Sequence, residues 1–260
     1  MRPYQSFTGQ RGPLAGFLLG SFGLVVLWSL TGSIRVALPA NADHLMFYGI
    51  LALVTWGCLR AEGARPSSLG LSSDRLVPAL ASVGALILAC NIVGVLTAVA
   101  LGKAWGIERL WGDQSIADWV GMLILNLAII ALVEEIAFRG YLLNKLLALH
   151  QHRHATATAV IFSGFLFAAW HVPGWDLTQP WVNQAPLFAL LFGTGVVFGL
   201  IYHFTRNLYL VGLLHGFGNL WPFAFDLSDW PIGALVLFWA VTALLYLATP
   251  RLCLCLQARS

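Results

Sequence analysis

Charge is scarce in this sequence. Of 260 residues, 14 are Lys or Arg and 11 are Asp or Glu, 10% in all, against about 25% in a soluble domain. So few charged side chains cannot cover a surface facing water, which excludes a secreted enzyme and a disordered scaffold. No basic patch exists for phosphates to meet, which excludes a nucleic-acid-binding domain. Cysteine is also sparse: Cys58, Cys90, Cys253 and Cys255 form no CxxC pair and no disulfide framework. Cys253 and Cys255 read as apolar filler at a membrane edge, with acylation or metal binding as the alternative. No internal repeat and no second domain are visible, so residues 1–260 read as one membrane domain.

What fills the chain is hydrophobic residues, 59% of the total, with 11 Trp and six Tyr of the kind that gather at bilayer interfaces. Several apolar runs reach or approach the roughly 20 residues needed to cross a bilayer as helix. The pattern predicts an all-α, polytopic transmembrane helix bundle of about eight spans: 13–31, 44–60, 76–101, 117–149, 155–172, 185–204, 208–224 and 231–249. The fourth is too long for a perpendicular crossing and must tilt, bend or protrude. The seventh is short and interrupted by Gly212, Gly216 and Gly218. Ala40-Asn41-Ala42 resembles a signal-peptide cleavage site, but the preceding apolar run exceeds the 7–15 residues typical of one and lies far from it. A retained first span is the expectation.

Positive residues set the expected orientation. Alternate loops, counting both termini, hold Arg2, Arg11, Arg60, Arg65, Arg75, Lys145, Arg153, Arg206, Arg251 and Arg259. The opposite set holds only Arg35, Lys103 and Arg109. Both termini are therefore expected in the cytoplasm, most simply of a bacterial plasma membrane, and the long loops around Asp176 and Asp226 on the other side.

Ionisable groups inside spans cost at least about 2.5–3.5 kcal/mol each near a helix centre and are functional candidates by default. Only Glu134 and Glu135 lie deep in an apolar run among the acidic residues. Adjacent residues point about 100° apart on a helix, so the two carboxylates cannot share one environment. Glu135 and Arg139 are spaced i to i+4 with the acid first, the favourable order for an ion pair. Glu134 is left without a local partner and becomes the candidate base. A purely structural role for all three is the alternative. His171 shares a helical face with Phe167, and His215 shares one with Asn219. Facing imidazole and carboxamide groups can donate to one point, as an oxyanion site requires.

Other polar residues rank lower. His150, His152 and His154 read as a solvated loop, and Asn91, Asn126 and His203 as interhelical hydrogen-bonders, Asn126 being the nearest exception because it precedes Glu134 by two turns. Trp170 and Trp175 read as anchors.

Glu-Glu-x-x-x-Arg at 134–139, Phe-x-x-x-His at 167–171 and His-x-x-x-Asn at 215–219 follow one another in apolar spans. This ordered trio resembles the type II CAAX prenyl endopeptidases and their bacterial Abi relatives, the CAAX proteases and bacteriocin-processing enzymes. Gly199-Leu200 and Asn207-Leu208 before His215 are similar too, and the resemblance covers residues 115–225. It implies an intramembrane peptidase in which Glu134 and His171 activate water while His215 and Asn219 stabilise the oxyanion. The partners implied are the bilayer and a peptide substrate, with a prenylated CAAX-like tail as one candidate. No cofactor is expected, with a zinc-dependent version of the same protease as the alternative: zinc on Glu134, His171 and His215 would consume the only candidate base, and no His-Glu-x-x-His helix is present. Serine and aspartyl intramembrane proteases fit poorly, since Ser163 lacks the Gly context and no Asp lies deep in a span. A non-catalytic immunity or scaffolding protein of the same fold, or a transporter titrating Glu134, are the rival classes. The depths of the two histidines differ along their spans. His215 lies about 10 Å along its span and His171 about 24 Å along its own, which straight perpendicular helices would hold apart.

Overall fold

Inside a bilayer no water competes for backbone groups, so each apolar run satisfies its own N–H and C=O groups as a helix. The computed structural model describes residues 7, 10–31, 42–110, 112, 114–150, 153–174, 180–220 and 222–258. Among them eight main helices form: α1 Gly12–Leu30, α2 Ala42–Ala61, α3 Ser73–Ala100, α4 Ile116–Leu149, α5 Ala155–His171, α6 Trp181–Thr205, α7 Leu208–Leu220 and α8 Ile232–Gln257. Apart from an isolated bridge between Trp105 and Phe225, no strand appears among these residues. Ala40, Asn41, His152, Trp175 and Asp176 of the sequence reading lie outside the described residues, as do Arg2, Arg35 and Arg259.

Each of the eight apolar runs carries a helix, but among the described residues only six helical segments are long and apolar enough to cross a membrane. α5 and α7 have 17 and 13 residues, about 26 and 20 Å of helix, short of a hydrocarbon core of about 30 Å. Leu19, Leu53, Leu88, Leu190 and Leu247 are between 62% and 77% exposed. Apolar side chains turned outward from so many helices identify an integral membrane protein rather than one dissolved in water.

α4 is the central pillar, with α2, α5, α6 and α7 packed against it. Its 34 residues stay helical throughout, but the ladder widens twice, to π-helix over Leu125–Ala131 and Ile136–Leu143. Between these lies one ordinary turn, Leu132–Glu135, carrying both carboxylates. Such bulges recur at functional sites because each reorients the side chains around it. Below the pair, Lys145 and Glu62 form a buried ion pair that fastens the end of α2 to α4.

The glycines of α7 do not interrupt it. A Cβ at Gly212 would stand 3.5 Å from Leu132 Cα, and one at Gly216 would stand 3.3 Å from Leu127 Cα. They mark a close backbone approach between α7 and α4, the usual role of small residues between membrane helices. Gly164 and Gly195 do the same where α5 crosses α6.

The mismatch in helix depth also has a structural origin. The residues before α5, Arg153 and His154, are exposed, whereas Asn207 and Leu208 at the start of α7 are fully buried. Asn207 Oδ1 accepts from Leu210 N–H at 3.0 Å, and its Nδ2 donates to Arg75 O at 2.9 Å. α7 therefore begins inside the protein, and its short first half reaches the same level as the far end of α5.

Three lower-ranked expectations change in detail. Asn91 does bond across elements, donating to Pro222 O at 3.0 Å and accepting from Ala224 N–H at 2.8 Å. The Nδ1 atom of His203 has no hydrogen-bond partner, so the bridging expected of it is not seen there. Trp170 is not an interface anchor: it is 3% exposed and donates to Ser21 O of α1 at 3.0 Å.

Candidate functional site

Glu134, Glu135 and Arg139 are 3%, 0% and 1% exposed, in a surrounding of apolar side chains. Buried charges must be paired or hydrogen-bonded to persist. Arg139 Nη1 donates to Glu135 Oε1 at 2.9 Å, the i to i+4 pair that the spacing favours, and Nη2 donates to Gly195 O at 3.3 Å. The guanidinium carbon lies 4.4 Å from the Phe167 ring centroid and 5.5 Å from that of Phe198. Two aromatic faces thus hold the flat cation in one plane.

Glu135 does more than pair with Arg139. Its Oε1 also receives His215 Nδ1 at 2.8 Å. A carboxylate only accepts, so Nδ1 carries the proton and Nε2 of His215 points the other way. That atom lies 3.8 Å from Glu134 Oε2. His171 is held in a matching manner: its Nδ1 donates to Phe167 O at 2.8 Å, leaving Nε2 3.9 Å from the same Glu134 oxygen. The Phe167 ring stands 4.7 Å from His171 and 6.0 Å from His215, edge-on to both.

Glu134 has a partner that its own helix does not supply. Tyr48 of α2 donates its hydroxyl to Glu134 Oε1 at 2.7 Å. The second oxygen, Oε2, is buried and takes no hydrogen bond within the protein. One carboxylate oxygen is therefore tethered and the other is turned toward two imidazole nitrogens.

Asn219 lies one turn beyond His215, exposed, and donates to Asn126 Oδ1 at 3.2 Å. The structure thus brings Glu134, His171 and His215 together, with Glu135, Arg139 and Phe167 behind them. It places Asn219 and Asn126 in an adjoining polar layer between α7 and α4. Tyr48 and Phe198 were not singled out in the sequence. A tyrosine in an apolar span reads as an interface residue, and Phe198 as one apolar side chain among many.

Residues 116–221 match the family model described as Type II CAAX prenyl endopeptidase Rce1-like. Over that segment the chain is similar to this family. The match runs from the first residue of α4 to just beyond α7 and contains every member of the buried cluster except Tyr48. No curated protein and no solved structure matches the chain. The CAAX endopeptidase family is one of proteases, so at family level the segment is of peptidase type.

In a zinc tetrahedron with bonds of about 2.0–2.1 Å, neighbouring ligand atoms are roughly 3.4 Å apart; Glu134 Oε2 is 3.8 and 3.9 Å from the two imidazole nitrogens. No group of three or more His, Cys, Asp or Glu side chains among the described residues has a metal-holding arrangement. The separations suit an oxygen hydrogen-bonded to each group at ordinary length.

Proposed function

We propose that the protein is an intramembrane endopeptidase in which Glu134 activates water for attack on a peptide carbonyl. The observation that carries this reading is the free, buried Oε2 of Glu134, set between the Nε2 atoms of two histidines whose Nδ1–H groups are held from behind. Neutral His171 presents a lone pair at Nε2, because its Nδ1 hydrogen is committed to Phe167 O. A water between the two groups donates one hydrogen to Glu134 Oε2 and the other to His171 Nε2. Its oxygen lone pair is then free to attack, Glu134 takes the proton, and the same carboxylic acid later delivers it to the departing amine.

His215 supports the other side of the reaction. To donate from Nε2 it must carry a second proton, since Nδ1–H already bonds Glu135. With both glutamates ionised and Arg139 charged, one imidazolium brings the buried cluster to zero net charge, the state burial favours. His215 Nε2–H and the second N–H of Asn219 then serve as oxyanion donors, with Asn126 orienting the carboxamide. Zinc is not required, and an imidazolium could not ligate it. The substrate is a membrane-proximal or C-terminal peptide bond, with a prenylated CAAX-like tail as one candidate. The rival classes, a scaffolding protein and a transporter, give no reason for two imidazoles aimed at one carboxylate oxygen.

Metal dependence is the discriminating test. Purified active protein should contain no stoichiometric zinc and should keep its activity after chelation and desalting. Activity lost to a chelator and restored by zinc would overturn the mechanism while leaving the fold intact. Asn219→Ala should lower kcat about a hundredfold, the typical worth of one oxyanion donor.

Tyr48 acts through Glu134, as a positioning residue. Tyr48→Phe removes a hydrogen bond to a charged group, a class worth about 1.5–3 kcal/mol. The expected result is a kcat lower by about tenfold or more with KM unchanged and normal yield. A raised KM with kcat intact would place Tyr48 on the substrate instead.

For topology we propose eight membrane-embedded helices and cytoplasmic termini, with α5 and α7 completing their passage within the bundle. Reporter fusions at residue 67, in the α2–α3 linker, and at residue 178 should report opposite sides. Identical reports would overturn the assignment.

A further inference from the structure

A second feature lies on the far side of the Glu134 segment. A cleft of about 380 Å³ runs between α2, the linker after it, and α4, within the size range of small-molecule sites. Trp56 and Leu59 from α2 and Val133 and Ile136 from α4 supply apolar walls, and Arg60 and Arg65 line it as well. No acidic side chain lines it. Glu62, between the two arginines in sequence, is buried against Lys145. Both arginines are exposed, and neither makes an ion pair among the described residues. The Arg60 guanidinium carbon stands 5.7 Å from the Trp56 ring centroid, a pairing of cation and aromatic ring suited to the headgroup level of a bilayer.

We propose that this cleft binds an anionic phospholipid, with the phosphate on Arg60 and Arg65 and an acyl chain along Trp56, Leu59, Val133 and Ile136. Two features of the site select that occupant together. Inorganic phosphate would meet the guanidiniums but leave the apolar walls uncovered. A zwitterionic lipid would cover the walls but bring its own cation against two arginines. Basic pockets between membrane helices recognise anionic headgroups for this reason. Val133 and Ile136 flank the two glutamates in sequence, so the lipid packs against the outer side of the turn that carries them. The inference stands apart from the peptidase reading, because its readout is binding.

The test titrates the full chain, purified in neutral detergent, with phosphatidylglycerol, phosphatidylcholine, inorganic phosphate, and an apolar peptide bearing a free C-terminal carboxylate. Bound ligand is counted by native mass spectrometry. Phosphatidylglycerol should bind most tightly, and the double substitution Arg60→Gln with Arg65→Gln should weaken it about thirtyfold. Arg251→Gln, an exposed arginine outside the cleft, should bind as the unaltered chain does. Ala52→Phe, which narrows the apolar part of the cleft and keeps both charges, should also weaken phosphatidylglycerol. Equal binding of the two lipids would overturn the proposal, as would a double variant or an Ala52→Phe variant that binds normally. So would arginine-dependent binding of the peptide in place of the lipid, which would make the cleft a substrate site.

Discussion

Glu134→Gln is expected to abolish peptide cleavage, by about 10⁴-fold or to the limit of detection, in a protein that purifies and melts like the unaltered chain. The amide keeps the size of the carboxylate, and its oxygen can still accept the Tyr48 hydroxyl now found at 2.7 Å. What it cannot do is take a proton from water. Folding should not suffer, because no charge is left stranded: Arg139 keeps Glu135, and His215, 3.8 Å from Glu134 Oε2, can release its second proton while Nδ1–H stays on Glu135. Paired measurement of melting temperature and turnover checks both halves. If Glu134→Gln stayed active while a well-folded Glu135→Gln was dead, the roles of the two carboxylates would be exchanged.

Arg139→Ala should fail differently, by loss of folded protein. Arg139 is 1% exposed, bonds Glu135 and Gly195, and lies near the faces of Phe167 and Phe198. Its removal leaves Glu135 charged in an apolar interior, and breaking a buried pair from one side costs roughly 3–5 kcal/mol. Fluorescence-detected size exclusion after detergent extraction should show a much reduced monodisperse peak. The double variant Glu135→Leu with Arg139→Met should recover much of that peak, because apolar side chains replace both charges, yet remain inactive since His215 loses its partner. Normal extraction of Arg139→Ala would show that this pair carries no stability.

Much of the site was legible because polarity inside an apolar run has so few causes. Glu134, Glu135 and Arg139 stand out in a span that is otherwise almost wholly apolar, and the i to i+4 rule already paired the last two. His171 and His215 were found on the same ground, although spacing alone could not bring them to one carboxylate. Their meeting depends on α7 starting inside the protein, which follows from the buried Asn207 cap and the close approach at Gly212 and Gly216. Those glycines looked like interruptions because a linear pattern records an absent side chain but not the neighbour that occupies its place. The double role of Glu135 was hidden for a similar reason: a local rule finds Arg139, four residues away, and not His215, eighty residues away. Tyr48 lies outside both the motifs and the matched segment 116–221, and a tyrosine in a span has an ordinary interfacial explanation. The span count was blurred by length, since α5 and α7 have the composition of crossings without their reach.

Hydrolysis in isotopically labelled water tests the central claim most directly. The purified chain, stripped of metal by chelation, is incubated in H₂¹⁸O with membrane-anchored peptides, beside a Glu134→Gln sample. The expected result is a new carboxyl terminus carrying one ¹⁸O from the unaltered chain, and no product from Glu134→Gln. Cleavage that persists in Glu134→Gln, or that appears only when zinc is returned, would contradict a water activated by Glu134.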